Sequence, residues 1–492
     1  MQMKTEKKRS GWRSLDNTAK IFPVIANENL SNVFRISVTL KTLIEPVILQ
    51  QALEDILPHI QNFQVKLRRG VFWYYFEENN KIPLIQRENT YPCRHIDPHG
   101  NQKFLFRVTY FERRINLEVF HALTDGLGAA NFLKDLTYRY LQLQRGAAES
   151  LGEPEELTGP QQNFDFNVED SYLKNYRETG HQHYSSTPAY RLNGHYLALG
   201  TGQVLHGYVN ISEAKAVCGR YDVSITKYLV ASMIWSIWQA YLGGEPCEQP
   251  IAVNLPINLR SFFNSETVAN FFAVTMIGYL FREPDITFER LLGVVSRQMD
   301  KKIVKERLEE CISYNVSNEK KWYFRITPLV VKWLALNVVF RLKDRAHTIT
   351  LSNIGLVKVE PEYEDAIERF HLMLGVSRRQ PVKCVVCAYG EEMVITFSSV
   401  FADSKLQKRF FEKLRADGIT VRLEGNELSA ARKRTMYPRI RKVSILQRGG
   451  EEKASRMVKQ VGYTGETAAR GAVDYLTGRR NLREELSRRF HL

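Results

Sequence analysis

The chain has 492 residues, of which 44% are hydrophobic and 25% charged, and a formal net charge of +15. That length and apolar content suffice for two sizeable cores and exclude a single small domain. Six cysteines in so long a chain exclude a disulfide scaffold. Met1–Leu15 is basic and polar, with no apolar signal core, and no run of about 18 apolar residues follows. A cytoplasmic location is expected. The charge is uneven: Ala430–Leu492 holds 16 Lys and Arg against 6 Asp and Glu. Such a tail could contact an anionic membrane surface from the periphery.

In chain order, Ser14–Pro23 reads as a short capped helix that stops at Pro23. Phe34–Leu40 alternates as a strand, and Pro46 opens a helix with an apolar stripe from Ile48 to Leu57. Val65–Leu67 and Val71–Phe76 form a hairpin broken at Gly70. The aromatic run Phe72–Phe76 reads as a buried strand and not as a base-stacking platform, so no nucleic-acid partner is expected. Phe104–Tyr110 and Ile115–His121 flank the turn Glu112–Arg114. After Gly126 the spacing of Leu127, Ala130, Leu133, Leu136 and Tyr140 predicts a helix.

A polar stretch, about 146–202, reads as a crossover with one helix of its own. Beyond it come a strand Val204–Val209, a short helix capped by Ser212, and an apolar helix Ile225–Tyr241 capped by Ser224. Strands are expected at Ile251–Leu255, Val274–Leu280 and Thr348–Leu351, with one long helix Ile286–Glu310. Pro328–Phe340 reads as a buried or amphipathic helix. Lys383–Ala388 and Met393–Ser398 form a hairpin around Gly390, and Ser404–Leu414 is a last helix. On that hairpin Cys384 and Cys387 point to opposite faces, which argues against a metal or redox pair. The expected organisation is therefore α+β, in two-layer sandwiches. Residues 1–13 are a basic N-terminus, 14–145 and 203–425 are subdomains around the crossover, and 426–492 are the basic tail.

The sharpest local signal is Phe120-His121-Ala122-Leu123-Thr124-Asp125-Gly126. His121 ends an apolar strand, and Gly126 starts a helix after a tight turn. An imidazole held there projects into a cleft, and its ordinary pKa of about 6.5 suits a general base. Asp125, across the turn, could hold the loop by a buried ion pair or orient the ring. No Gly-rich phosphate loop is present to support nucleotide hydrolysis.

His-x-x-x-Asp-Gly at a strand end resembles the signature shared by chloramphenicol acetyltransferase, condensation domains of nonribosomal synthetases, BAHD acyltransferases, wax ester synthases and alcohol acetyltransferases. Two segments follow in that superfamily's order: Leu255-Pro256-Ile257-Asn258-Leu259-Arg260 with Asn270-Phe271-Phe272, and Ser352-Asn353-Ile354-Gly355. Leu15–Pro23 and Lys66–Glu77 resemble the alcohol acetyltransferase branch. The resemblance covers about Ser14 to Leu423 and stops before the tail. Phe120 stands where many relatives carry a second His, and no Asp-Phe-Gly-Trp-Gly of the BAHD type occurs.

The resemblance implies two chloramphenicol-acetyltransferase-like subdomains with a central tunnel. It implies acyl transfer from acyl-CoA to a small alcohol or amine, with no permanently bound cofactor or metal, by a monomer. His121 would be the base, Asp125 would turn from the ring toward Arg260, Gly126 would complete the turn, and Ser352 or Asn353 would bond the oxyanion. A carrier-protein thioester as donor, in lipopeptide or polyketide ester synthesis, is the alternative. A third reading is a non-catalytic relative that binds acyl chains.

Overall fold

In the computed structural model, residues 11–97, 101–149, 168–178, 187–198 and 200–426 are described. All belong to the first of the chain's two units, Met1–Met436. The basic tail beyond residue 426 lies outside them.

Two large sheets carry the fold. The first has five strands in the order Ile367–Leu374, Val33–Leu40, Arg114–Phe120, Phe106–Phe111 and Gln86–Arg87. The second has seven, in the order Phe272–Tyr279, Ile251–Asn258, Ile349–Leu356, Val382–Tyr389, Glu392–Ser399, Gln203–Asn210 and Val421–Gly425. A small third sheet joins Trp12–Ser14, Tyr74–Glu78 and Val65–Arg69. This is the α+β arrangement expected, with one exchange. Ile367–Leu374, from the second half of the chain, pairs along Val33–Leu40 and so belongs to the first sheet.

Helices cover each sheet. Pro46–Ile56 and Gly126–Glu149 pack together over the first, where Leu49, Leu53, Leu133 and Leu136 are fully buried. The second sheet is covered by Ile225–Leu242, which is apolar nearly all round and buried along most of its length. Ser224 caps that helix, and Gly243 ends it with φ of +63°. Beside it lie Phe288–Lys302 and Lys405–Ala416.

Four expected elements differ. The strand expected over Val71–Phe76 is Tyr74–Glu78, and Val71 and Phe72 are exposed in the turn before it. The helix expected over Ser14–Pro23 is a turn that leads into the helix Phe22–Ile25, and Pro23 sits in that helix's first turn, where a first-turn N–H has no helical partner to lose. Asn210 caps Ile211–Arg220, with Ser212 inside the helix. The long helix expected over 286–310 is two, Phe288–Lys302 and Lys305–Lys320, because Ile303 leaves the helical region.

The inner face of the second sheet meets the first half. Val385, Cys387 and Val394 belong to the core built from the first half, whereas Cys384, Val386 and Ile395 belong to the second core. The period of two along a strand makes each of these strands a shared wall.

Charge is buried within the first sheet as well. Glu118, with no exposed surface, accepts from Arg35 Nε at 2.8 Å and from the Cys93 backbone N–H at 2.8 Å. Arg107 bonds the other carboxylate oxygen. These contacts tie three adjacent strands, including the one that ends at His121. Glu118→Ala leaves Arg107 without its carboxylate and Arg35 with Glu88 alone. It is expected to lower unfolding free energy by about 3–5 kcal/mol, read from urea denaturation.

Candidate active site

His121 follows directly on the strand Arg114–Phe120, and its backbone N–H donates to the Asn32 carbonyl at 2.9 Å. Asn32 has φ of +50°, a left-handed conformation that asparagine tolerates. The imidazole is packed by aromatic rings. Phe22 stacks on it at 4.6 Å between centroids with an 18° interplanar angle, and Phe34 and Phe272 lie at 5.0 and 5.6 Å. The residue as a whole is half-buried.

One hydrogen-bond chain settles which nitrogen carries the proton. Asn270 Nδ2 donates to Asp16 Oδ2 at 3.1 Å, which turns Asn270 Oδ1 toward His121 Nδ1 at 3.0 Å. An amide oxygen only accepts, so Nδ1 carries the hydrogen and Nε2 keeps its lone pair. Asp16 also accepts from the Asn270 and Ala19 backbone N–H groups. Burial lowers the His121 pKa below its ordinary 6.5, against the opposing field of Asp125. Burial likewise pushes the Asp16 carboxyl up to about 7.

Asp125 does not bond the imidazole. Its Oδ2 accepts from Arg260 Nη1 at 2.8 Å and from the Phe271 N–H at 3.1 Å. Its Oδ1 accepts from the Leu127 and Gly128 N–H groups, each at 3.2 Å, and so caps the helix Gly126–Glu149. Arg260 completes its own shell with the carbonyls of Thr267 and Ala269, at 2.7 and 2.8 Å, and with Asn258 Oδ1. A Cβ on Gly128 would meet Thr124 Oγ1 at 2.0 Å and the Val268 carbonyl at 2.7 Å, so only glycine lets the turn close here.

The Ser352–Gly355 stretch forms the end of the strand Ile349–Leu356. A Cβ on Gly126 would lie 3.3 Å from Ile354 Cγ2, so the turn after His121 packs against the turn after Ser352. Asn353 is engaged locally: its Nδ2 donates to Thr226 Oγ1, and its Oδ1 accepts from the Gly355 N–H. Ser352 is partly accessible. Strand register places Thr350 opposite Lys383, and Thr350 and Ser352 share a face. Lys383 therefore projects with them toward the first half of the chain. Its amine is lowered to about 8 by burial, and its charge acts on His121.

Asp16, Asn32, Phe22 and Lys383 were missed as site residues by sequence reasoning, and Asn270 was noted only as part of a motif. Asp16 and Asn270 are 254 positions apart, and only the fold joins them. A cavity of about 400 Å³ lies elsewhere, at the far end of the same strand, lined by Arg35, Arg114, His206 and His371 among others. It is not the surroundings of His121.

No protein-family model matches the chain. No curated protein matches it in sequence either. Solved structures do match in fold. Polyketide synthase associated protein 5 from Mycobacterium tuberculosis superposes with a TM-score of 0.54 at 14% identity, over 82% of this chain and 97% of that one. TRI101 from F. graminearum, complexed with coenzyme A and deoxynivalenol, superposes at 0.56 and 10% identity, over 83% and 99%. The starter condensation domain of rhizomide synthetase RzmA, as a mutant in complex with C8-CoA, does so at 0.50 and 12%, over 84% and 97%. The chain has the two-subdomain fold of the condensation domains and chloramphenicol-acetyltransferase-like enzymes. In that fold, Arg260 bonds Asp125 within the turn that leads from His121 to the helix opening at Gly126.

The ion pair makes a direct prediction. Removing one partner leaves a buried charge uncompensated, so Arg260→Leu is expected to cost about 3–5 kcal/mol of stability in urea denaturation. A near-wild-type midpoint would show that the turn does not depend on this pair.

Proposed function

We propose that the protein is an acyltransferase that moves an acyl group from an acyl-CoA thioester to an alcohol or amine, with His121 as general base. The observation that carries this reading is the fixed tautomer: Nδ1 is held by Asn270, so Nε2 presents a lone pair. Nε2 takes the proton from the acceptor as its oxygen or nitrogen attacks the thioester carbonyl carbon. The C–S bond then breaks, and the departing thiolate recovers the proton from the imidazolium. Burial supports this role, because a ring kept neutral is ready to accept a proton near neutral pH.

Ser352 is the better oxyanion donor of the two candidates, because Asn353 already holds its own turn. One such donor contributes about 3–4 kcal/mol to lowering a barrier. Asp125 and Arg260 position the turn and stay out of the proton transfer. The fold it shares with TRI101, solved with coenzyme A, supports coenzyme A as the donor's carrier. A carrier-protein thioester is the second reading, supported by the fold shared with a condensation domain.

The test is product analysis by mass spectrometry after incubation with mixed acyl-CoAs and a panel of alcohols and amines. His121→Ala is expected to cut turnover by about 100-fold or more with the fold intact. Acyl transfer at near-normal rate by a folded variant would refute the assignment.

The pH profile gives a second test. The base works when neutral, and its pKa lies below 6.5, so the acid limb of kcat/KM is expected below pH 6.5. Lys383 disfavours the protonated ring. Lys383→Met should therefore raise the His121 pKa and move that limb to higher pH. An unmoved or lowered limb would show that Lys383 does not act on the base.

A further inference from the structure

The helices Trp322–Ile326 and Leu329–Asp344 turn apolar residues outward. On the second helix Leu329 and Lys332 are buried, and Leu336 and Phe340 pack with Val24 and Ile25 in a small core. Val331, Leu334, Val338 and Leu342 fall on the other side at helical spacing, and three of these four are exposed. Trp322 is 72% exposed, and Tyr323, Ile326, Val330 and Trp333 are exposed as well. The surface continues onto the hairpin turn, where Val71 is 70% exposed beside Phe72. The Leu329 N–H donates to the Val71 carbonyl at 2.8 Å, and Lys332 Nζ to the Phe72 carbonyl at 3.1 Å, which hold the two parts together.

Cations surround this surface. Lys320, Lys321, Arg325, Arg341, Lys343 and Arg345 are exposed. Between residues 320 and 345 the sole acid is Asp344, which is buried and bonded to Gln380. Among the described residues, Lys320, Lys321 and Lys343 meet the Tyr176 ring, Asn318 Oδ1 and the Tyr314 ring, none of them a carboxylate.

We propose that these two helices, with the Val71–Phe72 turn, seat the protein on an anionic lipid surface. Exposed Trp and Tyr among exposed basic and aliphatic side chains match the chemistry of a headgroup layer above acyl chains. Charge argues against the other occupants. A second copy docked by the same face would bring two basic rings together. The tail Ala430–Leu492 carries 16 Lys and Arg against 6 Asp and Glu, so it repels this ring too. The seat lies next to the reaction site. Its second helix packs on Val24 and Ile25, and the same short helix carries the Phe22 that covers His121.

The proposal does not depend on the acyl-transfer reading, because its test reads binding. The full chain is sedimented with vesicles of phosphatidylcholine, with and without phosphatidylglycerol. Binding is expected only to the anionic vesicles, weakening with salt. Trp322→Ser with Trp333→Ser should lower the partition coefficient by about 10-fold or more, and so should Arg325→Glu with Arg341→Glu. The two pairs alter different chemistry at exposed positions, so one remains informative if the other fails to fold. Three results would overturn the proposal: no binding to phosphatidylglycerol vesicles, equal binding by both variants, or a wild-type dimer that the tryptophan variant dissociates. Equal binding would make the tail the anchor, and the dimer would make the face a protein interface.

Discussion

The Asp125–Arg260 pair is the constraint on which the site depends. It joins the turn after the strand Arg114–Phe120 to the turn after Ile251–Asn258, one from each large sheet. A buried pair of this kind contributes little net stability compared with apolar packing, because desolvation offsets most of the attraction. What it contributes is position. Both carboxylate oxygens and all three guanidinium nitrogens have fixed partners, so neither turn can shift without stranding a charge. The Phe271 N–H on Asp125 then sets where its neighbour Asn270 lies, and Asn270 holds the imidazole.

His121 receives its properties from groups remote in sequence. The aromatic rings restrict its orientation and remove water from its face, which disfavours the imidazolium. Asn270 fixes the tautomer without adding charge. Asp16, one bond further on, carries a carboxyl raised to about 7, so the far end of the chain weakens as a full negative charge near neutral pH. A carboxylate bonded directly to the ring would stabilise the imidazolium strongly and hold the proton. A neutral amide leaves Nε2 a base that can also give the proton back.

The parts of this arrangement differ in how far they can be read from the chain. The two-subdomain fold was legible, because strand and helix periods are local and Asp125, Arg260 and Ser352 fall in ordered segments with their own spacing. The boundary at Gly126 was legible for the same reason. The exchange of Ile367–Leu374 into the first sheet was not. Its apolar and polar residues read alike on any sheet, and register is decided by a partner more than 300 residues upstream. Asp16 lies within Ser14–Pro23, which reads as a short capped helix, and nothing in that stretch points to an asparagine 254 positions away. Lys383 was passed over as one charge in a β-branched run, since its importance comes from the face that register gives it.

The outward-facing helix Leu329–Asp344 shows the same limit in another form. An apolar stripe at helical spacing tells which residues share a face, and it is silent about whether that face meets a core or leaves the protein. Here the polar Lys332 is the buried member, held by the Phe72 carbonyl and the Trp73 ring, while Val331 and Leu334 are outside. Burying one ammonium is costly and was accommodated by lowering its pKa to about 8. A rotation of the helix by half a turn would have sheltered the valines and released the lysine. The contacts that prevent that rotation, Leu329 on Val71 and Asn337 on Val24, are also those that fix the helix behind Phe22. The orientation that leaves an apolar surface open is thus set in part by the short helix whose Phe22 stacks on the imidazole.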